Sequence, residues 1–482
     1  MKVFIKNIGV IESTKYELGD LTVVCGKNNT GKTLAAYTLY GFFDYWHNKY
    51  NFQIGTTMIK KIKNEREFRI VRKQIQPLLS KNLELAYQKY VTEYLPVVLG
   101  SPSERLADCQ FRLSIRWTLN QSLLLKRKTA RWILSDCESY LVKTDDEGKS
   151  VQIFQEEHVP QEFLSNRSNL SDSSNSVPII DSVQSLTKFI SPEIIPCAAV
   201  VSAERIGAAM FSEEIGYYRD KKNQQKDNIH SQPLNYPLPA QNNLNMIRDF
   251  IQKLLPEQTE LQTIFNKMLD GNFEIRHNKL HFVPFHTETC TEISTKHTPL
   301  TLSETSSSVR SLLPFWLQLY RGTMLRETPV NMLMIDEPEM NLHPENQRIL
   351  ARIFVRLVNQ GYKIYITTHS DYIVKELNTL IMLYRHNKNN NRVMKRYGYT
   401  EAEILNPAKV RVYMTQKVSP PKTRTKIKTK MESESEQIVT DSAVPKYIFV
   451  QAKIDELGIC LPVFDDTIIE MNNIQDEILA GD

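Results

Sequence analysis

The segment Gly26-Lys27-Asn28-Asn29-Thr30-Gly31-Lys32-Thr33 constrains this chain more than any other, because it matches GxxxxGK[ST] in full. Before it, Leu21-Thr22-Val23-Val24-Cys25 has the length and β-branching of a buried strand. After it, Leu34-Ala35-Ala36-Tyr37-Thr38-Leu39-Tyr40 carries helix formers with apolar residues at helical spacing, uninterrupted by Pro or Gly until Gly41. A strand, a glycine loop and a helix in that order build a cradle for phosphate oxygens. Gly26 and Gly31 let backbone N–H groups converge, and the helix N-terminus adds a favourable dipole. Lys32 is expected on the β- and γ-phosphates, Thr33 offers a hydroxyl to Mg²⁺, and Lys27, Asn28, Asn29 and Thr30 complete the loop. A chance glycine turn is the plain alternative, but it would not require both flanks.

Two further strands carry chemistry at their ends. Val330-Asn331-Met332-Leu333-Met334-Ile335 is an apolar run of buried-strand length that stops at Asp336-Glu337. Asp336 would bind magnesium through water, while Glu337, projecting to the other side at strand period, would orient and deprotonate an attacking water. By itself the pair is weak, since any strand can end in Asp-Glu at a turn; the glycine loop reverses those odds. Tyr362 to Thr368 is another strand, and it delivers His369 and Ser370 just beyond its end. His369 could donate to a γ-phosphate oxygen that gains charge in the transition state, although a lone His after a strand is more often structural. The helix Asn346 to Val358 between them makes a βαβ unit, which puts the two strands side by side or nearly so. ATP and Mg²⁺ are therefore the expected substrate and cofactor.

With these residues in view, the chain resembles the ABC-type ATPases of the SMC and RecF branch, in particular the bacterial overcoming-lysogenization-defect type and related phage-defence ATPases. Ile335-Asp336-Glu337-Pro338-Glu339-Met340-Asn341-Leu342-His343-Pro344 looks like their DEPExxLHP block, and the likeness covers residues 1 to 45 and 295 to 380. The resemblance implies an α/β fold: a P-loop ABC-type ATPase head with a helical lid or insertion and a β-rich lobe. It also implies that Asn341 to His343 form a loop crossing a subunit interface and that His369 is a switch histidine. Ser202-Ala203-Glu204-Arg205, after a buried strand from Ile194 to Val201, resembles the loop through which relatives couple the nucleotide to the rest of the head. Relatives with nuclease activity carry a Toprim domain, and no convincing equivalent is found in this chain.

The family also uses a serine-glycine signature loop donated to the nucleotide by the opposite subunit. Leu302 to Arg310 is the candidate, with Ser306, Ser307 and Ser308 as its hydroxyls and a helix expected from near Val309. Ser308 stands where glycine commonly sits, so the backbone would approach phosphate less closely. A helix N-cap explains these serines equally well.

By pattern the chain divides into 1–55, the first part of the head with the glycine loop; 56–190, a helical and strand-rich insertion; and 191–300, a central lobe. Then come 301–415, the second part of the head; 416–440, a basic and acidic linker; and 441–482, a C-terminal helical tail. Leu78, Leu79, Leu83, Leu85 and Ala86 place an amphipathic helix in the insertion, Phe111 to Trp117 alternates as a strand, and Phe273, Ile275, Leu280 and Phe282 indicate a hairpin. Hydrophobic residues are 41% and charged residues 24% of 482, which excludes a disordered, collagenous or coiled-coil chain. No run is long enough for a membrane span, and six scattered cysteines make neither a disulfide framework nor a zinc site, so a reducing cytoplasm is expected. His277, His281 and His286 sit in a strand-like stretch at spacings that do not bring three ligands together.

The function implied is ATP binding and hydrolysis by a homodimer or higher oligomer, whose ATP-dependent assembly regulates a separate effector, a nuclease subunit, in a Septu-like antiphage system. The alternative is a DNA-repair or chromosome-maintenance ATPase that contacts DNA itself. A formal charge of +5 leaves that to local tracts: Lys126-Arg127-Lys128 with Arg131, and Lys422, Arg424, Lys426, Lys428 and Lys430, the latter opposed by Glu432, Glu434 and Glu436.

Overall fold

Strands buried on both faces read as unbroken apolar runs, and period-two geometry then sends alternate side chains into two different cores. The computed structural model describes residues 1–51, 53, 67–115, 129–135, 138–144, 150–155, 179–180, 195–211, 236–250, 260–277, 279–285, 299–324, 330–384, 388–418, 445–455 and 458–459. Its principal sheet contains β1 (Lys2–Ile8), β2 (Ile11–Glu17), β3 (Leu21–Cys25), β4 (Gln110–Ser114), β5 (Ala198–Val201), β6 (Met332–Asp336), β7 (Lys363–Thr368), β8 (Val410–Lys417) and β9 (Tyr447–Gln451). The spatial order is β5-β6-β7-β3-β8-β9-β2-β1-β4. From β5 through β8 every neighbouring pair is parallel, whereas β8 with β9, and β1 with both β2 and β4, are antiparallel. The expected α/β architecture with a P-loop head is the one observed.

The helices that cover this sheet and its insertion are α1 (Lys32–Asp44), α2 (Arg72–Lys89), α3 (Leu95–Leu99), α4 (Leu238–Phe250), α5 (Glu260–Leu269), α6 (Ser307–Met324), α7 (Pro344–Asn359) and α8 (Asp371–Met382). Leu21 and Val23 of β3, Leu333 and Ile335 of β6, and Ile364 and Ile366 of β7 pack with α6, α7 and α8 in one core. Val24, Met332, Met334 and Tyr365, the alternate residues of the same strands, join α1, α2 and α3 in the other. The two cores sandwich the strands that carry the glycine loop, the two acids and the histidine, so the ends of those strands are held from both sides.

The helix after the glycine loop runs through Gly41 to Asp44 rather than stopping there. A Cβ on Gly41 would lie 2.5 Å from Val98 Cγ2 and 2.8 Å from the Tyr90 hydroxyl, so the glycine admits α3 to close contact. Around this point an aromatic cluster ties α1 to the insertion: the Phe42 ring packs at a tilt against Phe111 of β4, centroids 4.9 Å apart, and against Tyr87 of α2 at 5.2 Å. On α2, Leu79, Leu83 and Ala86 are buried as the amphipathic spacing requires. The strand expected from Phe111 is β4, and it adds to the edge of the head sheet beside β1. Within the insertion, Glu67–Val71, Ser150–Gln155, Glu138–Thr144, Thr129–Ser135 and Ile179–Ile180 form a second, five-stranded sheet, so part of residues 56–97, whose Lys-, Glu- and Leu-rich pattern predicts amphipathic helices, is extended. The hairpin is present as Gly271–Arg276 and Lys279–Pro284, with Phe273 facing Phe282 and Ile275 facing Leu280.

One expectation is corrected. Within 441–482, assigned a helical tail, Tyr447–Gln451 is a strand of the principal sheet, and the short strands Ile454–Asp455 and Gly458–Ile459 follow it. The β-branched and aromatic run Tyr447-Ile448-Phe449-Val450 itself favours a strand, and an antiparallel ladder with Tyr413 to Lys417 satisfies its backbone. Residues 460–482, with Asp465 and Asp466, lie outside the described residues, as do Lys126 to Lys128, the basic tract from Lys422 to Lys430, and His286.

Candidate active site

The site lies at the carboxyl ends of three adjacent parallel strands, β6, β7 and β3, where ligands of open α/β sheets commonly bind. Register sets the alignment: Asp336 stands opposite Thr367, and Thr368 stands opposite Cys25, the last residue before the glycine loop. The βαβ unit thus places the acid-bearing and histidine-bearing strands as direct neighbours, with the glycine-loop strand next in order.

Gly26 has φ of 149° and Gly31 of 93°, while Asn29 adopts 61°. A Cβ at Gly26 would fall 1.9 Å from the Thr415 hydroxyl oxygen, and one at Gly31 would fall 2.7 Å from Ile11 Cγ1, so both glycines are required by conformation and by space. Thr30 donates to the Lys27 carbonyl at 2.8 Å and tightens the loop, and Lys27, Asn28 and Asn29 are exposed along its outer side. Lys32 is buried; its ammonium donates to the Gly26 and Lys27 carbonyls at 2.9 and 2.8 Å. Burial lowers its pKa, opposed by the nearby carboxylates of Glu337, Asp336 and Glu339. The lysine and the two acids, 304 and more residues apart in sequence, therefore share one site.

Asp336 is only 1% exposed. Its Oδ1 accepts from the Thr33 hydroxyl at 3.1 Å and from the Thr367 hydroxyl, whereas its buried Oδ2 has no hydrogen-bond partner. Burial pushes its pKa up to about 6 despite the two hydroxyls. An all-oxygen pair with one orphaned carboxylate oxygen fits a hard divalent cation, so Thr33 and Asp336 are a suitable partial ligand set for Mg²⁺.

Glu337 follows at once with φ of 48°, a left-handed conformation unusual for a residue with a long side chain. This turn aims its carboxylate toward His369, whose Nδ1 is 3.7 Å from Glu337 Oε1 and 3.3 Å from Glu339 Oε1. The Glu337 interaction raises the His369 pKa, and His369 in turn lowers that of Glu337. Glu339 is buried and accepts from the Thr368 hydroxyl at 2.8 Å and from the His369 backbone N–H at 2.7 Å. Asn341, at φ of 60°, and His343 are exposed on either side of the buried anchor Leu342. His343 caps α7 by accepting from the Glu345 N–H at 3.4 Å.

The serines behave differently. Helix α6 starts at Ser307, two residues before the expected point, and Ser306 caps it: its hydroxyl accepts from the Val309 N–H at 3.3 Å. Ser306 also pairs with the Ser308 hydroxyl at 2.8 Å, and both Ser306 and Ser307 are exposed. Among the described residues the Ser306 and Ser308 hydroxyls bond within the serine loop and the first turn of α6, so the N-cap role is realised and they make no bond to the glycine loop of their own chain.

Sequence reasoning gave no role to Thr367 or Glu339, and little weight to Arg205. Thr367 was detectable in principle, since the residue two before His369 must face the end of a neighbouring parallel strand. Arg205 is 1% exposed, and apart from the Ser202 carbonyl its guanidinium bonds to groups 106 to 132 residues away, so no local spacing announces its link to the acids.

Among the described residues no helix is long and apolar enough to cross a membrane. No curated protein matches the chain in sequence. Similarity is found to a solved SMC head domain from Thermotoga maritima, with TM-score 0.27 and 8% identity, covering 78% of this chain and 90% of that one. A solved SMC head bound to the C-terminal winged-helix domain of ScpA is similar at TM-score 0.29 and 11% identity, again over 78% of this chain and 90% of that one. A family model for the AAA ATPase domain matches residues 1–374, a span that contains the glycine loop, the Asp336-Glu337 pair and His369. By that match, over most of its length, the chain belongs to the AAA ATPase domain family.

Proposed function

We propose that this ATPase works as a homodimer, or a higher oligomer built from dimers, in which two chains enclose two ATP molecules. Each pocket would take Gly26 to Thr33, Asp336, Glu337 and His369 from one chain and the Ser306 to Ser308 loop from the other. The observation that carries the ATP and Mg²⁺ site of this reading is the bond from Thr33 to Asp336, which joins the glycine loop to the strand-end acid and leaves one buried carboxylate oxygen unpaired.

In this reading the loop amides and Lys32 bind the phosphates, and Glu337 accepts the proton of an in-line water. His369, held by Glu337 and Glu339, donates to the γ-phosphate oxygens. When bound, Mg²⁺ would be held by Thr33 and Asp336 and would neutralise charge on the phosphates. The exposed serines are supplied to the twin's nucleotide. In this reading the output is conformational: ATP favours the closed assembly and hydrolysis releases it. The assembly would gate a separate effector, a nuclease subunit, in a cytoplasmic bacterial antiphage system of the SMC/RecF-like branch.

The decisive test is Glu337→Gln. It should retain ATP binding, lower turnover by on the order of a hundredfold or more, and accumulate an ATP-dependent dimer visible by light scattering on a sizing column. Near-normal turnover, or a variant that stays monomeric in ATP, would refute the proposal.

A further inference from the structure

Among the described residues Arg205 is, after Trp316, the largest fully buried side chain, and nothing in the phosphate chemistry above employs it. Its guanidinium has five N–H donors in a rigid plane. Nη1 donates to the Asp336 carbonyl at 2.8 Å and to the Ser202 carbonyl at 3.2 Å. Nη2 donates to the Glu337 carbonyl at 2.6 Å, and Nε donates to the Ser311 hydroxyl at 3.0 Å. The Ser311 hydroxyl in turn donates to the Met340 carbonyl at 2.9 Å. The Glu337 carbonyl also accepts from the Met340 N–H at 3.1 Å, so both ends of the turn from Glu337 to Met340 are tied to the Arg205–Ser311 pair.

Two consequences follow. The left-handed backbone of Glu337 costs energy, and a side chain in such a conformation persists only when its surroundings over-determine it. Thr367 holds the N–H side of that residue and Arg205 holds the carbonyl side. Ser311 lies one helical turn into α6, directly behind the serine loop, so a displacement of that loop along the helix is felt at the guanidinium. The preceding residue, Glu204, accepts from the Tyr37 hydroxyl of α1 at 2.8 Å, which adds the glycine-loop helix to the same network.

We infer that Arg205 is the positioning residue for hydrolysis: it sets the backbone of Glu337 and, through Ser311, makes that setting depend on where the serine loop of the same chain sits. This deepens the dimer proposal and rests on it, since the serine loop is there assigned to the twin's nucleotide. The arrangement would report engagement with the second pocket to the water-activating carboxylate of the first, through a path of three hydrogen bonds: Ser311 to Met340, Arg205 to Ser311, and Arg205 to Glu337.

Arg205→Lys keeps the charge but cannot span four acceptors in a plane. It should lower kcat by about tenfold to a hundredfold, while KM and the affinity for a fluorescent ATP analogue stay within about twofold. Introduced into Glu337→Gln it should add almost nothing, because the carboxylate it positions is already gone. Ser311→Ala, which deletes one hydroxyl and leaves the arginine in place, should lower kcat several-fold and reduce the dependence of turnover on protein concentration. Arg205→Lys turning over like the parent, or losing ATP binding in step with kcat, overturns the inference; so does full additivity with Glu337→Gln. Should Arg205→Lys fail to fold, Ser311→Ala decides alone, and an unchanged kcat refutes the relay. Failure of the dimer proposal is separable: there Glu337→Gln stays monomeric in ATP, whatever Arg205→Lys does to kcat.

Discussion

Changing Asp336 to Asn should uncouple stability from function in a way that pH exposes. The carboxyl is buried, and its folded-state pKa is raised from 3.8 to about 6, chiefly by burial. The native state therefore holds a proton that the unfolded chain releases, and stability contributed by this group falls as pH rises from about 4 to about 6. At 1.36 kcal/mol per unit, the deficit above pH 6 is on the order of 3 kcal/mol. Asparagine carries no charge and escapes that deficit. It instead leaves an amide N–H where Oδ2 now lacks a partner, a cost of about 1–3 kcal/mol that does not vary with pH. Near neutrality the two effects almost cancel, whereas near pH 4.5 only about 1 kcal/mol of the carboxyl deficit has developed and the amide cost weighs more heavily. The measurement is guanidinium unfolding of both proteins in EDTA at about pH 4.5, 5.5 and 7. The difference between them should move in favour of Asp336→Asn by roughly 2 kcal/mol across that range. Added Mg²⁺ and ATP at neutral pH should stabilise the parent and not the variant. A difference that stays flat with pH within about half a kcal/mol would show that the carboxyl is not desolvated as its surroundings require, and the case for an unpaired metal-facing oxygen would fall with it.

Two other substitutions probe the cradle and its support. Lys32→Ala removes the ammonium that lies against the Gly26 and Lys27 carbonyls, so ATP affinity by equilibrium dialysis should fall by at least about tenfold and effector output with it; output that survives without nucleotide binding would refute the switch. Gly41→Ala drives a Cβ to 2.5 Å from Val98, and overpacking of about 1–3 kcal/mol should exceed the helix-propensity gain of about 1 kcal/mol, lowering Tm while KM for ATP is unchanged.

What the sequence determined by itself is the chemistry that depends on near neighbours along the chain. The glycine loop between β3 and α1, the acids ending β6 and the histidine beyond β7 were legible because backbone conformation, strand period and charge are local properties. Tertiary structure alone decided how those pieces meet. The parallel register that sets Asp336 against Thr367, the left-handed turn at Glu337 and the Arg205–Ser311 clamp join residues separated by dozens to hundreds of positions. The tail shows the same limit. Residues 447–451 have no amphipathic signal that names a partner, and they become a strand because the free edge of β8 offers them a ladder. Backbone pairing between distant segments is fixed by which edges remain unsatisfied when the cores close, and that is a property of the folded chain.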